Sequence, residues 1–399
     1  MVSPLIPAEG PLRVALLLES DGPGGAETML LNLGEELRRR GHDVLPLGPA
    51  GRTGWLAAQF RERGFAPESY VMRHALDPAC ARQLADILRS HRIQVAHSHE
   101  FTMGVYGAIA ASRAGSRHII TMHGGRYYAE RGRRRAAMRW AVRRSDALVA
   151  VSDATARDLR ATLRLPHDAV AVVHNGIPFR EGQRATLRNE LGIAEDELLL
   201  VAVGNLYPVK GHAVLLRALG ELRRSGVVAD VRWRLAIAGR GEEEEKLRAL
   251  ATEEGLAERV TLLGFRSDVP DILAAADLFV MPSLSEGLPL ALVEAMAAAL
   301  PVVVSDVGGV SEVAVAGREA ILVPPGDVAR LAEGVSTLLS DPAARAALGA
   351  AARARAVRDF SVSTMCEAYE RLYRGEVAAR SSARDASARR GEFAPGRAG

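Results

Sequence analysis

Apolar residues along the chain fall into two alternating patterns. Short runs rich in Val, Leu and Ile occur at Leu12–Leu18, Asp43–Leu47, Ile93–His97, His118–Met122, Ala147–Val151 and Val170–Val173. A second series follows at Leu198–Val203, Arg234–Ala238, Arg259–Leu262, Leu278–Met281, Val302–Ser305 and Ile321–Val323. Between them lie longer amphipathic stretches such as Glu27–Arg40, Pro78–Ser90, Arg133–Arg144 and Glu242–Glu253. Continuous apolar runs predict strands buried on both faces. Their alternation with helices predicts parallel sheets covered by helices on either side.

Twelve such strands exceed one small doubly wound sheet, so the chain needs a seam. The stretch Pro178–Asp196 is polar, has no strand pattern and carries Gly182 and Gly192. The expected fold is α/β: two doubly wound parallel-sheet (Rossmann-like) domains, residues 11–180 and 197–358, facing across a cleft. Ligands of such sheets bind beyond the carboxyl ends of the strands. The tail 376–399 is Arg, Ser, Ala and Gly without periodicity and reads as disordered.

Composition narrows the classes. At 399 residues, with 48% hydrophobic and 25% charged positions, the chain is an ordinary globular protein of two domains or so. Lys plus Arg is 51 against 48 for Asp plus Glu, a net charge of +3, too balanced for a whole-protein polyanion binder. Aromatics are only 5% and do not interleave with the arginines, which argues against nucleic acid. Cys80 and Cys366 cannot build a disulfide framework or a cysteine zinc site, and they suit a reducing compartment. The most apolar stretch, Gly287–Val304, is broken by Pro289, Glu294 and Pro301 and cannot span a bilayer as one clean helix. The first apolar run is a strand rather than a signal peptide, and the expected location is cytoplasmic.

Several segments carry candidate chemistry. Gly22-Pro-Gly-Gly-Ala-Glu27 links the first strand to the first helix, where Gly24 and Gly25 would let a phosphate or sugar approach the backbone. A tight strand–helix turn explains the same glycines. The dinucleotide fingerprint is broken because Glu27 stands where a glycine is needed. Thr121-Met-His-Gly-Gly125 ends the fifth run and places His123 at a strand's carboxyl end. Gly204-Asn-Leu-Tyr-Pro-Val-Lys-Gly211 follows Val203 and puts Lys210 before a helix start, a pair of positive features suited to a diphosphate. The spacing is not that of the ATP-type phosphate loop.

The segment Pro282-Ser-Leu-Ser-Glu-Gly-Leu-Pro-Leu-Ala-Leu-Val-Glu294 is the most informative. Pro289 suits the first turn of a helix. The amides of Gly287, Leu288 and Leu290 are then free to face the cleft. Glu286 and Glu294 flank that helix start and can accept hydrogen bonds from sugar hydroxyls. A structural salt bridge is the competing account of Glu294, since an unpaired buried charge is costly.

Taken together, the chain over residues 11–375 resembles the retaining nucleotide-sugar glycosyltransferases of family 4, which have the two-domain GT-B architecture. The resemblance rests on Gly24-Gly25-Ala26-Glu27, His123-Gly124, Asn175-Gly176-Ile177, Lys210-Gly211, the Glu286…Glu294 pair, and Val307-Gly-Gly-Val310 with Glu312. It implies that Lys210 binds the donor diphosphate and Glu294 the ribose. Glu286 and the amides of Gly287, Leu288 and Leu290 would contact the transferred sugar and its phosphates. His123 would lie beside the reacting sugar, and Gly24 and Gly25 would approach the donor from the first domain. Residues 359–375 look like the family's last helix, which crosses back to the first domain.

Two departures stand out. Asn205 replaces the arginine usual beside the phosphate lysine, which removes a bidentate charge from the leaving-group site. Pro178 stands where the family's Asn-Gly-Ile/Val motif ends in aspartate.

The resemblance implies transfer of a hexose-type sugar to an acceptor hydroxyl in glycolipid, cell-envelope polysaccharide or small-glycoside synthesis. No Asp-x-Asp occurs in the chain, so a metal-free site without a cofactor is expected. Among donors, UDP-sugars are favoured over GDP-sugars on family frequency. Eight arginines between residues 126 and 144 could make a peripheral contact with anionic lipid on the inner face of the cytoplasmic membrane; a solvated helix face is the competing account and the more common one. A nucleotide-sugar epimerase or phosphorylase remains an alternative. So does an inactive sugar-nucleotide binding protein, which Asn205 favours.

Overall fold

In a computed structural model, residues 9–51, 54–124 and 127–376 are described. The tail 377–399 and the residues Gly125 and Arg126 lie outside the described residues. Two all-parallel sheets form the framework. The first contains β1 (Arg13–Leu17), β2 (Asp43–Pro49), β3 (Glu68–Tyr70), β4 (Val95–His99), β5 (Arg117–Met122), β6 (Ala147–Ala150) and β7 (Ala171–Val172). Their spatial order is β3-β2-β1-β4-β5-β6-β7. The second contains β8 (Leu198–Val203), β9 (Trp233–Ala238), β10 (Val260–Gly264), β11 (Leu278–Met281), β12 (Val302–Ser305) and β13 (Ile321–Val323), in the order β10-β9-β8-β11-β12-β13.

The apolar runs become strands because helices cover both faces of each sheet. β8 reads Leu-Leu-Leu-Val-Ala-Val and β12 Val-Val-Val-Ser, with side chains alternately entering cores above and below. Each strand order reverses once, between β1 and β4 and between β8 and β11. At these reversals adjacent connections leave in opposite directions and open a crevice at the carboxyl ends of the strands.

Three details depart from the sequence reading. β3 is unforeseen: Glu-Ser-Tyr has no apolar run, and only Tyr70 is buried. β4 begins two residues later than expected and ends at His99, because Ile93 instead closes the preceding helix, its N–H bonded to the Leu88 carbonyl. The stretch read as a polar seam contains the helix Arg184–Leu191. That helix is held by Arg188, which is buried and donates to Asp277 at 3.0 Å and to the carbonyls of Ala194 and Glu197 at 2.7 Å.

The chain passes between the sheets twice, and the two passages lie side by side. The Ile177 N–H donates to the Phe360 carbonyl and the Val362 N–H to the Ile177 carbonyl, both at 3.0 Å. Gly176 is required there, since a Cβ would stand 2.3 Å from the Ser361 oxygen. The final helix, Val362–Arg374, then packs on the first sheet's half of the molecule. Its Glu370 binds Arg40 and His42, each at 2.7 Å, and its Tyr373 hydroxyl meets His97 Nδ1 at 2.7 Å. The helix thus returns to the first half of the chain.

A further tie joins the halves. Glu312, in the short helix Val310–Val313, accepts from the N–H groups of Asp153 at 2.6 Å and Ala154 at 2.8 Å. These are free amides at the start of the helix Asp153–Leu163, so a carboxylate from one half caps a helix of the other. His174 Nε2 lies 3.2 Å from the same carboxylate.

Candidate active site

The carboxyl ends of the two sheets face one another across a cleft of about 1370 Å³. Its lining includes Gly24, Gly25, His123, Asn205, Lys210, Glu286, Gly287, Leu288, Leu290 and Glu294. These ten candidate site residues therefore reach one space, although they come from both halves of the chain; Glu27, Gly211 and Glu312, which the sequence also marks, do not line it.

The second half supplies the charged wall. After β8 the chain makes a 3-10 turn, Pro208–Lys210, and enters the helix His212–Ser225. Gly211 bridges them with φ +67°, and a Cβ there would meet the Pro282 oxygen at 2.0 Å. That close approach brings Lys210 against the loop after β11. Its Nζ donates to Glu286 Oε1 at 2.7 Å, an oxygen that also accepts from Ser283 Oγ at 2.7 Å. The lysine and the carboxylate that the sequence presents as separate features thus form one ion pair.

Pro289 takes the N-cap position of the helix Leu290–Ala297 rather than its first turn. The N–H groups of Gly287, Leu288 and Leu290 have no acceptor among the described residues. These unpaired donors, next to Lys210, make a cradle for an anion. Glu294 projects from the same helix into the cleft without a hydrogen-bonding partner among the described residues. Burial pushes its carboxyl up to about 7, and Arg180 opposes that rise. No described ion pair supports the structural account of Glu294.

Asn205 lines the same wall. Of the cleft arginines, Arg266 is occupied by Glu190 and Asp268 on both edges of its guanidinium. Arg63 contacts Gln59 and Glu35. Arg353 donates to the Ala297 carbonyl at 3.0 Å, and Arg180, which also lines the cleft, lies 4.0 Å from Glu35.

Around Gly24, Gly25 and His123 the first half supplies an uncharged stretch of wall, although Glu62 and Arg63 also line the cleft. His123 follows β5, and its N–H donates to Glu100 Oε1 at 2.9 Å. Glu100 holds a left-handed backbone, φ +65°, at the start of the helix Glu100–Ala114, a strained conformation for a non-glycine residue. Burial lowers the His123 ring to about 4, so it is uncharged near neutrality. His97 and His99 are buried and held well below the ordinary histidine value, first by burial and then by neighbouring histidines.

The two walls touch at glycines. A Cβ on Gly287 would stand 2.1 Å from the His123 carbonyl oxygen, and one on Gly124 would stand 3.0 Å from the Gly287 Cα. Backbone meets backbone here, and no side chain fits between. Asn175 also lines the cleft; its Nδ2 lies 3.5 Å from the Leu288 carbonyl and its buried Oδ1 is unpaired among the described residues. The sequence marks Asn175 within a motif but gives it no role.

The arginine-rich segment is partly structural. Arg134 packs on the Tyr127 ring and pairs with Glu130, Arg135 donates to the Ala129 carbonyl, and Arg139 to the Leu163 carbonyl. Arg131, Arg133, Arg143 and Arg144 remain exposed on or beside the helix Gly132–Arg144, next to a partly exposed Trp140. No described helix is long and apolar enough to cross a membrane.

Comparison with known proteins gives the family of the chain. Residues 23–181 match the family described as Glycosyltransferase Family 4, and residues 183–355 match Glycosyl transferases group 1. The chain is 30% identical to a D-inositol 3-phosphate glycosyltransferase of Acidothermus cellulolyticus, over 94% of this chain and 92% of that protein. It is 32% identical to an alpha-maltose-1-phosphate synthase of Mycolicibacterium smegmatis, over 70% and 78%. Among solved structures it is similar to Anabaena Alr3699/HepE in complex with UDP and glucose, with TM-score 0.77 and 23% identity over 90% of this chain and 98% of that one. The chain belongs to the family-4 glycosyltransferases of GT-B fold, enzymes that transfer a sugar from a nucleotide-sugar donor.

Proposed function

We propose that this enzyme is a retaining, metal-independent transferase that moves a hexose-type sugar from a UDP-sugar to an acceptor hydroxyl. The observation that carries the reading is the Lys210–Glu286 pair, set beside the unpaired amides of Gly287, Leu288 and Leu290. A donor diphosphate would take Lys210 and these amides, and Glu286, released from the lysine, would accept from a hydroxyl of the transferred sugar. Breaking the anomeric C–O bond builds negative charge on the diphosphate, which fixed donors in a partly buried cleft stabilise. Retention requires the acceptor oxygen to bond the anomeric carbon on the face the diphosphate leaves, with the acceptor proton passing to a departing phosphate oxygen. Glu294 would hold the ribose, and His123 would lie beside the reacting sugar.

Absence of an Asp-x-Asp sequence supports the metal-free reading. Asp153, His174 and Glu312 do bring ligand-type atoms within 4.8 Å of one another, but both Glu312 oxygens already accept from backbone N–H groups. UDP is preferred over GDP because the Anabaena neighbour was crystallised with UDP and glucose. One relative is named for D-inositol 3-phosphate, a polar acceptor. A small glycoside, a glycan or a glycolipid headgroup fits that class. For a lipid-linked acceptor, the exposed Arg131, Arg133, Arg143 and Arg144 beside Trp140 would dock on anionic lipid at the inner face of the cytoplasmic membrane.

One experiment tests both parts. The enzyme is incubated with UDP-hexoses and candidate acceptors in EDTA, with neutral or anionic vesicles present, and the product's anomeric coupling is read by NMR. Transfer with retention in EDTA is expected, with the protein sedimenting more with anionic vesicles. An inverted product, or transfer restored only by divalent metal, contradicts the mechanism. Equal sedimentation with both vesicles removes the docking.

A further inference from the structure

Behind His123 a row of imidazoles runs through the first sheet, and only its front member lines the cleft. β4 and β5 are neighbouring parallel strands that pair His97 with Ile119 and His99 with Thr121. His97 is satisfied on both nitrogens, by the Tyr373 hydroxyl at 2.7 Å and Thr121 Oγ1 at 2.8 Å. Thr121 Oγ1 in turn lies 3.1 Å from the Tyr369 hydroxyl. The final helix therefore braces His97, whose ring packs against His99 with centroids 4.2 Å apart. His99 Nδ1 lies 3.0 Å from His123 Nε2. The remaining nitrogens of that pair, His99 Nε2 and His123 Nδ1, are buried and unpaired among the described residues.

One proton lies between the two rings, and there are two ways to place it. If His123 Nε2–H donates to His99 Nδ1, neutral His99 must carry its own proton on Nε2. That N–H then sits deep in the protein with no acceptor, which is costly. If His99 Nδ1–H donates to His123 Nε2, the His99 proton is paired. The unpaired N–H then belongs to His123 Nδ1, itself buried but part of the one ring of the row that lines the cleft. Only the second arrangement leaves its loose donor in a ring that borders the cleft.

We propose that His99 is a positioning residue that sets the tautomer of His123, presenting its Nδ1–H as a hydrogen-bond donor to a hydroxyl oxygen of the transferred sugar. The inference rests on the reading of His123 as the group beside that sugar. Burial that keeps both rings uncharged is consistent with it.

The test uses the full chain with nitrogen-15 in its histidine rings. Long-range proton–nitrogen correlation distinguishes a protonated from an unprotonated ring nitrogen. The expected wild-type spectrum has His123 protonated on Nδ1 and bare on Nε2. An asparagine amide can place an N–H where His99 Nδ1 stands, so His99→Asn should preserve that pattern and most of the turnover. His99→Leu should let both tautomers appear and lower kcat by about tenfold, with donor affinity within about twofold. A wild-type His123 protonated on Nε2 overturns the proposal even if the leucine variant does not fold. So does a His99→Leu enzyme with wild-type shifts and kcat. A His123→Ala enzyme with normal turnover would instead remove the underlying reading of His123, a separable failure.

Discussion

The two walls of the cleft are built to one plan and carry different chemistry. Each is the carboxyl edge of a doubly wound parallel sheet beside its point of reversal. Across the second sheet lie Lys210, Glu286, Glu294 and three unpaired amides. Across the first lie Gly24, Gly25 and His123, whose ring burial keeps neutral, with Glu62 and Arg63 also on the lining. The fold thus provides the crevice twice, and the loop residues decide what each crevice edge can bind. A diphosphate needs the charged wall, while a sugar with neutral hydroxyls can be met by uncharged donors. Glu312 and the final helix, contributed after most of the second half has been built, hold the two walls against each other.

This contrast can be broken in steps. The largest effect is expected from Lys210→Ala, which removes the cation and leaves Glu286 without its lysine. Turnover should fall on the order of 1000-fold, measured as UDP release at saturating donor. A loss of only a few fold would mean that the amides alone hold the diphosphate.

Next comes Glu294, which sharpens the contrast through pH. Its folded-state carboxyl titrates near 7, above the ordinary value, so it is largely protonated at pH 6 and ionised at pH 8. A ribose that donates to the carboxylate binds the ionised form. UDP affinity should therefore rise about tenfold from pH 6 to pH 8 as that form becomes populated, and Glu294→Gln should flatten the slope. His123, held near 4, should add no inflection near 6.5. Equal slopes in both enzymes would remove Glu294 from the nucleotide site.

The smallest effect separates binding from closure. Glu312→Ala uncaps the helix at Asp153 and Ala154, an interaction of about 1 kcal/mol. It should lower kcat/KM about fivefold while UDP affinity, set by the charged wall alone, stays within about twofold. A matching drop in UDP affinity would show that the walls do not act separately.

How much of this was legible in the chain followed from where the signal was stored. Apolar runs such as Leu198–Val203 are local and carry their own period, so the sheets and their helices could be read directly. β3 could not, because Glu-Ser-Tyr pairs with β2 at the sheet's edge and needs only Tyr70 in the core. The charged wall was visible because Glu286 and Glu294 lie within one short segment, and Lys210 stands beside a glycine turn. Its ion pair was not visible, since Lys210 and Glu286 are 76 positions apart and meet only after β8 and β11 align. The histidine row was hidden for the same reason. His99 and His123 are 24 positions apart on neighbouring strands, and a polar residue at a strand end gives no periodic signal.

The most direct test of the charged wall is a calorimetric titration of the wild-type protein with UDP and with GDP, both in EDTA. The account predicts one UDP site in the absence of metal, with GDP weaker. UDP heat that appears only after divalent metal is restored would contradict a diphosphate site built from Lys210 and backbone amides.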